Sequence, residues 1–172
     1  GSIGFKCLFP NGLIESAGIG FHGVMPYDIG RDSPGYSCNE IRDAESVQWA
    51  FALHRKKALE GNLPEGIFNG HVGWDDIDNN MILKSKGWKV VYCGQGAGIH
   101  QPRATRGSNS VDAMLKNQEN ARIFYKRWGL WEMFLADHPD GKDMHKMPKE
   151  HESFREMMER TAFQPVREEA LV

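Results

Sequence analysis

Apolar residues gather at positions 3–9, with one lysine among them, and stop at Pro10-Asn11-Gly12. Asn-Gly between two apolar runs is a hairpin signal, so residues 13–22 are expected to return as a second strand. Residues 23–40, "GVMPYDIGRDSPGYSCNE", are rich in Gly, Pro, Asp and Ser and predict a surface loop of the length that carries function or mobility. In "SVQWAFALHRKKALEG" the β-formers Val47, Trp49 and Phe51 predict a strand that turns helical over 54–59, with Gly61 as the stop. A second helix is expected to start at Asp75 or Asp76 as N-cap, with Ile77, Met81, Ile82 and the stem of Lys84 on one face. Gly87 falls where a left-handed residue ends such a helix. "WKVVYC" then predicts a strand and "GAGIH" a short second one, followed by a basic loop, "QPRATRG". Residues 111–128 have helical spacing, with Met114, Leu115, Ala121, Ile123, Phe124 and Trp128 apolar. From residue 138 the chain is polar, and one more helix is expected near 150–160.

Composition narrows this picture. A chain of 172 residues, 40% hydrophobic and 26% charged, is large enough to bury a core and reads as a soluble α/β protein. No apolar run nears the ~20 residues that span a membrane, and no signal-peptide pattern opens the chain. A net charge of -2 argues against a nucleic-acid partner. Three well-separated cysteines, Cys7, Cys38 and Cys93, make neither a disulfide framework nor a CxxC metal site, and a cytoplasmic setting is expected.

The charge pattern raises a chemical question. Asp75, Asp76 and Asp78 fall within four positions at a helix start. One N-cap aspartate is ordinary. Three crowded carboxylates repel, which favours a metal, a basic partner or a proton-transfer role. His100 leaves the second strand just before Arg103 and Arg106, a pair suited to phosphate oxygens. A neutral imidazole there can complete a divalent-metal site. Asp76-Ile77-Asp78 spells a DxD, a weak signal alone. Trp74, beside the aspartates, has a ring suited to stacking on a sugar face. The remaining histidines lack ligand spacing and read as surface residues.

Taken in order, these blocks resemble the second half of a family 2 glycosyltransferase of the GT-A fold. "LFPNGLIESAG" is similar to the family's hairpin after the nucleotide-binding half. "SVQWAFALHRKKAL" resembles the strand that runs into "RR.a(l/f)". "FNGHVGWDDIDNNMILKSKGWKVVYCGQGAGIH" resembles "F..g.EDvDl..Rl...Gwkv.Y.p.a.v.H", and "NQENARIFYKRWG" resembles "N..rF..kWg". The likeness covers residues 3–129. It implies a partial GT-A-like mixed sheet flanked by helices over 1–137, and a polar helical extension over 138–172. It implies an inverting transfer of sugar from a nucleotide-sugar donor to a saccharide or other hydroxyl acceptor. Asp76 takes the place of the catalytic base, and Asp75, in place of the usual Glu, that of an acceptor contact. Trp74 lies where acceptor contacts are expected. His100 takes the place of the family's C-terminal histidine, a metal ligand at the diphosphate, with Arg103 and Arg106 in the loop that holds the diphosphate of the cofactor. The cofactors implied are a nucleotide-sugar with Mn or Mg.

The family's nucleotide-binding strands and metal-binding DxD lie upstream of this hairpin. The chain therefore reads as the acceptor-binding half, with a missing N-terminal half or a homodimer as expected partner. Two other readings remain. One is a non-catalytic carbohydrate-binding or assembly module derived from such a transferase. The other is a metal-dependent hydrolase using Asp75, Asp76, Asp78 and His100.

Overall fold

The computed structural model describes residues 1–61, 67–68, 73–101 and 111–138. They form a mixed α/β structure in two compact units. Among the described residues the first unit holds 1–20, 27–61 and 75–101, and the second holds 21–26, 67–68, 73–74 and 111–138.

The first unit is built on β1 (Ser2–Leu8). The Pro10-Asn11-Gly12 turn brings β2 (Ile14–Ser16) back antiparallel to it, with Gly12 at φ 83° and Gly12 N–H bonded to the Phe9 carbonyl at 2.9 Å. The expected second strand over 13–22 breaks at Ala17-Gly18, and Gly18 takes φ 93°. Its remainder becomes β3 (Ile19–His22), which pairs with β4 (Met25–Asp28), a strand inside the expected loop, as a separate hairpin. The tip of that hairpin, 21–26, is counted with the second unit.

A short strand that the sequence did not announce, β5 (Ile41–Asp43), follows the loop. Where β-formers predicted a strand from Val47, the chain instead makes a 3₁₀ turn over Trp49–Phe51 and only then β6 (Ala52–His54) and the single-turn α1 (Lys56–Leu59). The helix α2 (Asp75–Ser85) and the strand β7 (Val90–Ile99) complete the unit. Gly87, at φ 79°, reverses the chain between them as expected.

The sheet order is β2-β1-β7-β5, and β6 pairs with the first half of β1 beside β2. Only β1 and β7 run parallel, so their carboxyl ends, Leu8 and Ile99, lie at the same edge. The two expected strands in residues 88–100 are one strand. Phe5 pairs with Cys93 and Lys6 with Ala97, so Gly94, Gln95 and Gly96 are extra residues that bulge from β7. Glycine is required at 94 because a Cβ there would run into the Cys38 carbonyl oxygen. Ile14, Ala17, Ala44, Val47, Val90 and Tyr92 form the buried core against this sheet, with Leu8, Ile29 and Cys38 at its margin. Each fully buried aliphatic side chain contributes about 1.5–3 kcal/mol.

The second unit packs α3 (Val111–Arg127) with α4 (Trp131–Asp137), joined through Gly129 at φ 67°. The predicted apolar face of α3 is half realised. Ala121, Phe124 and Trp128 are buried, whereas Met114 and Leu115 are exposed. Trp74, Phe124, Tyr125 and Phe134 form a ring cluster, with Tyr125 stacked on Phe134 at 4.5 Å between centroids. The Tyr125 hydroxyl donates to the Val24 carbonyl at 3.1 Å, and burial pushes its ionisation far up. His138, expected at the surface, is buried, stacks on Phe134 and ends α4. The expected helix near 150–160 lies outside the described residues. No described helix is long and apolar enough to cross a membrane.

Candidate functional site

The carboxyl edge of the parallel pair β1/β7 gathers the chemistry of the first unit. Ligands of open α/β sheets bind at such edges because strand ends and their loops can converge there without disturbing the core. His100 is the first residue past β7, and its backbone N–H bonds the Leu8 carbonyl at 2.8 Å. Its Nδ1 lies 2.7 Å from Oε2 of Glu15, which stands in the middle of β2. The two side chains therefore meet at the end of β1 from the strands on either side of it. The Glu15 side chain is 7% exposed and that of His100 36%.

Cys7 reports what surrounds this edge. Burial is the main cause that pushes its thiol up to about 12, and the charges of Glu15, Asp28 and Asp76 add to it in that order. Asp28 accepts from Gln48 Nε2 at 2.9 Å and pairs with Arg31 at 3.0 Å.

Asp76 sits in the first turn of α2, where unpaired amides and the helix dipole favour negative charge. Helix α2 begins at Asp75, so both leading aspartates are inside its first turn rather than at the cap position expected for one of them. Oδ1 of Asp76 accepts the Ile77 N–H at 2.8 Å. The turn of the helix also disperses the cluster that the sequence placed together: Asp75 is exposed, Asp76 half-buried and Asp78 fully buried.

Asn80 fastens this helix. It is fully buried, donates to Ser46 Oγ at 2.9 Å and the Val47 carbonyl at 2.8 Å, and accepts from Trp49 Nε1 at 3.1 Å. Lys84 adds a bond from Nζ to the Ala44 carbonyl at 3.0 Å, while Ile77, Met81, Ile82 and Leu83 are buried. Asp76 is therefore carried on a helix locked to the core segment 44–49.

Trp74 does not serve as the expected sugar platform. It is buried in the second unit's ring cluster, and its indole N–H donates to Asn117 Oδ1 at 3.0 Å. Its size and apolar rings are used in packing. Arg103 and Arg106 lie outside the described residues.

Among the described residues no three His, Cys, Asp or Glu side chains are grouped so as to hold a metal ion. An imidazole backed by a carboxylate is a donor set that suits a divalent cation. His100 fits as one such ligand, and a cation there would need oxygens from elsewhere. A groove of about 510 Å³ lies at the opposite, amino-terminal edge of β1 and β7, lined by Ile3, Leu53, His54 and Trp88 among others. It has no acidic side chain in its lining.

Glu15 is the site residue that the sequence did not reveal. Its signal was an acid flanked by strand residues in "LIESAG", since a buried glutamate almost always has a partner. The partner is 85 positions away. No family model, curated protein or solved structure matches the chain.

Proposed function

We propose that this chain is the acceptor-activating half of an inverting glycosyltransferase-like domain, with Asp76 as general base. The observation that carries the reading is His100 bonded to buried Glu15 at the carboxyl edge of the parallel strands, with Asp76 in the first turn of a helix anchored to the same unit. The block order in the sequence supports it independently.

In this reading an acceptor hydroxyl lies against the Asp76 carboxylate. As its oxygen attacks the anomeric carbon of a nucleotide-sugar, its proton passes to Asp76. The bond from that carbon to the diphosphate breaks, with inversion. A rigid helix start suits the role because general-base catalysis requires the carboxylate within hydrogen-bond reach of the attacking oxygen. Asp75, exposed on the same turn, orients the acceptor. His100 would hold the cation that accompanies the diphosphate, and Arg103 and Arg106 would supply positive charge for its phosphate oxygens. A bound divalent cation would neutralise charge on the departing diphosphate.

The test is Asp76→Asn in the chain completed by a nucleotide-binding half, assayed for sugar transfer and titrated calorimetrically with UDP and GDP, with and without manganese. Transfer should fall about 10²–10⁴-fold, the usual worth of a general base, while nucleotide affinity stays unchanged. Near-normal turnover in the variant would exclude Asp76 as the base.

A second reading has its own observation. Ile3, Leu53, Ile41 and Ile99 on the sheet strands are exposed. Apolar surface on strands suits an assembly module, which covers it with a second chain. A dimer by sedimentation, with no nucleotide affinity, would favour this reading over transfer.

A further inference from the structure

We propose that the uncovered face of the sheet, over the amino-terminal half of β1, docks an amphipathic helix of a partner protein whose acidic end lies over Arg55 and Lys89. The proposal rests on the assembly reading, for which it names the partner, and is independent of Asp76 and the transfer reading.

The argument starts from register. Ile3 pairs with Leu53 of β6 on one side and with Val91 of β7 on the other. Residues opposite one another in a sheet point to the same face, so these three side chains form one row. Two positions on, Phe5 stands on that face too, and its ring lies 5.1 Å from that of Phe51. The alternate positions face the core: Gly4 abuts the Val47 side chain, and Val90 and Tyr92 are buried. One face of this part of the sheet is therefore packed and the other open, with Leu53 65%, Ile3 42% and Phe51 39% exposed. Parallel strands such as β1 and β7 are ordinarily covered on both faces, by helices. The open row crosses three strands, a width of about 10 Å, which is also about the diameter of a helix with its side chains.

Charge selects the kind of helix. Arg55 and Lys89 continue the alternation one step beyond Leu53 and Val91, on either side of β1. Both are exposed, and both line the same groove as Ile3 and Leu53, which no acidic side chain enters. The face thus grades from a positive end to an apolar middle. A second copy of the chain, laid on it about a two-fold axis, offers Arg55 and Lys89 only Asp43, on the far strand β5. A helix with an apolar stripe at i, i+3, i+4 and i+7 and with Asp or Glu at one end satisfies both parts of the face.

The test is a display library of single helices, randomised at polar and apolar positions and selected against the full chain. Enriched helices should carry the apolar stripe and an excess of Asp and Glu at one end. Binding of the best synthetic helix, by fluorescence anisotropy, should weaken about tenfold or more in Leu53→Asp, as for an apolar anchor of an interface. It should weaken about tenfold when Arg55→Glu and Lys89→Glu are combined, because two favourable ion pairs become repulsive. A helix with Lys in place of its acids should recover that loss. All three substitutions fall on exposed side chains, and circular dichroism checks that the variants fold. The proposal is overturned if no helix is enriched, if enriched helices show no acidic bias, or if the charge reversal leaves binding unchanged. A chain that dimerises in sedimentation and becomes monomeric in Leu53→Asp also overturns it: the assembly reading then stands with a second copy as the occupant. Binding to phosphatidylserine vesicles that is lost in Leu53→Asp overturns it in favour of a membrane surface.

Discussion

His100 and His138 each engage a partner through Nδ1, at 2.7 Å and 3.2 Å. For His100 the partner is a buried carboxylate from a distant strand. For His138 it is the carbonyl of Phe134, four positions back in the same segment. The His100 ring is partly open, whereas His138 is 2% exposed and stacks at 4.7 Å on the Phe134 ring. The first histidine belongs to a strand edge where it meets a buried carboxylate, and the second to a cluster of aromatic rings. Trp74 and Asp76 repeat the contrast at closer quarters. They are two positions apart in the chain, yet they belong to different compact units, one as packing and one as exposed-to-buried charge. Residue type and neighbourhood in sequence do not separate a site residue from a core residue. The partner does: long-range charge marks the edge of the first unit, and local backbone or ring contact marks the second.

The contrast is broken most forcefully by Phe134→Ala. Phe134 is buried and stacks on Tyr125, Trp131 and His138. Truncation should cost about 3–5 kcal/mol by urea unfolding, as for buried aromatic side chains generally. The contact between His100 and Glu15, followed through the His100 ring resonances on the fraction that remains folded, should not change. A shift of those resonances would mean that the two regions are energetically coupled.

The same distinction explains what could be read in the sequence. The Pro10-Asn11-Gly12 hairpin, helix α2 with its Gly87 stop, and helix α3 were all legible, because each is specified by local spacing and turn chemistry. Strand β5 was not: three residues with an exposed Ile41 show no alternation long enough to register, and it exists through its pairing with β7. The glycines of 94–96 looked like the end of a strand, whereas they form a bulge inside one, made necessary by the approach of Cys38. At the candidate site, Asp75, Asp76 and His100 were picked out by residue type and order. Glu15 was not, because it acquires meaning only when β2 and β7 flank β1. Trp74 was misassigned because an indole beside carboxylates looks the same in sequence whether it faces a sugar or Phe124.

Asn80→Leu sharpens the comparison from the other side. The substitution keeps helix propensity and approximate volume but strands the Val47 carbonyl and the Trp49 N–H, both now bonded to Asn80. Leaving buried polar groups unpaired costs about 1–3 kcal/mol each, so a loss of roughly 3 kcal/mol is expected. Asp76 rides on the same helix. Transfer should therefore weaken at temperatures where the chain is still folded, whereas Phe134→Ala should not have that effect. Equal transfer in Asn80→Leu would show that the helix anchor contributes to stability alone.

The smallest effect concerns His54, at the amino-terminal edge of the sheet. Its Nδ1 is 2.8 Å from Ser2 Oγ, and its ring lies 4.1 Å from that of Trp49. Burial, and secondly the positive charge of the Gly1 amine, hold its pKa below the ordinary 6.5. The unfolded chain then binds a proton that the folded chain refuses, over the window between the lowered value and 6.5. Stability from this group is fully present above 6.5 and is lost as the pH falls through that window, with no further loss once the folded form also protonates. His54→Phe keeps a ring against Trp49 and removes the titration. Measured by urea unfolding at closely spaced pH values, the variant should lose less stability than the wild-type chain on acidification below 6.5. The difference should be small because the ring is partly exposed. Identical pH profiles would show that His54 is as free to charge in the folded chain as in the unfolded one.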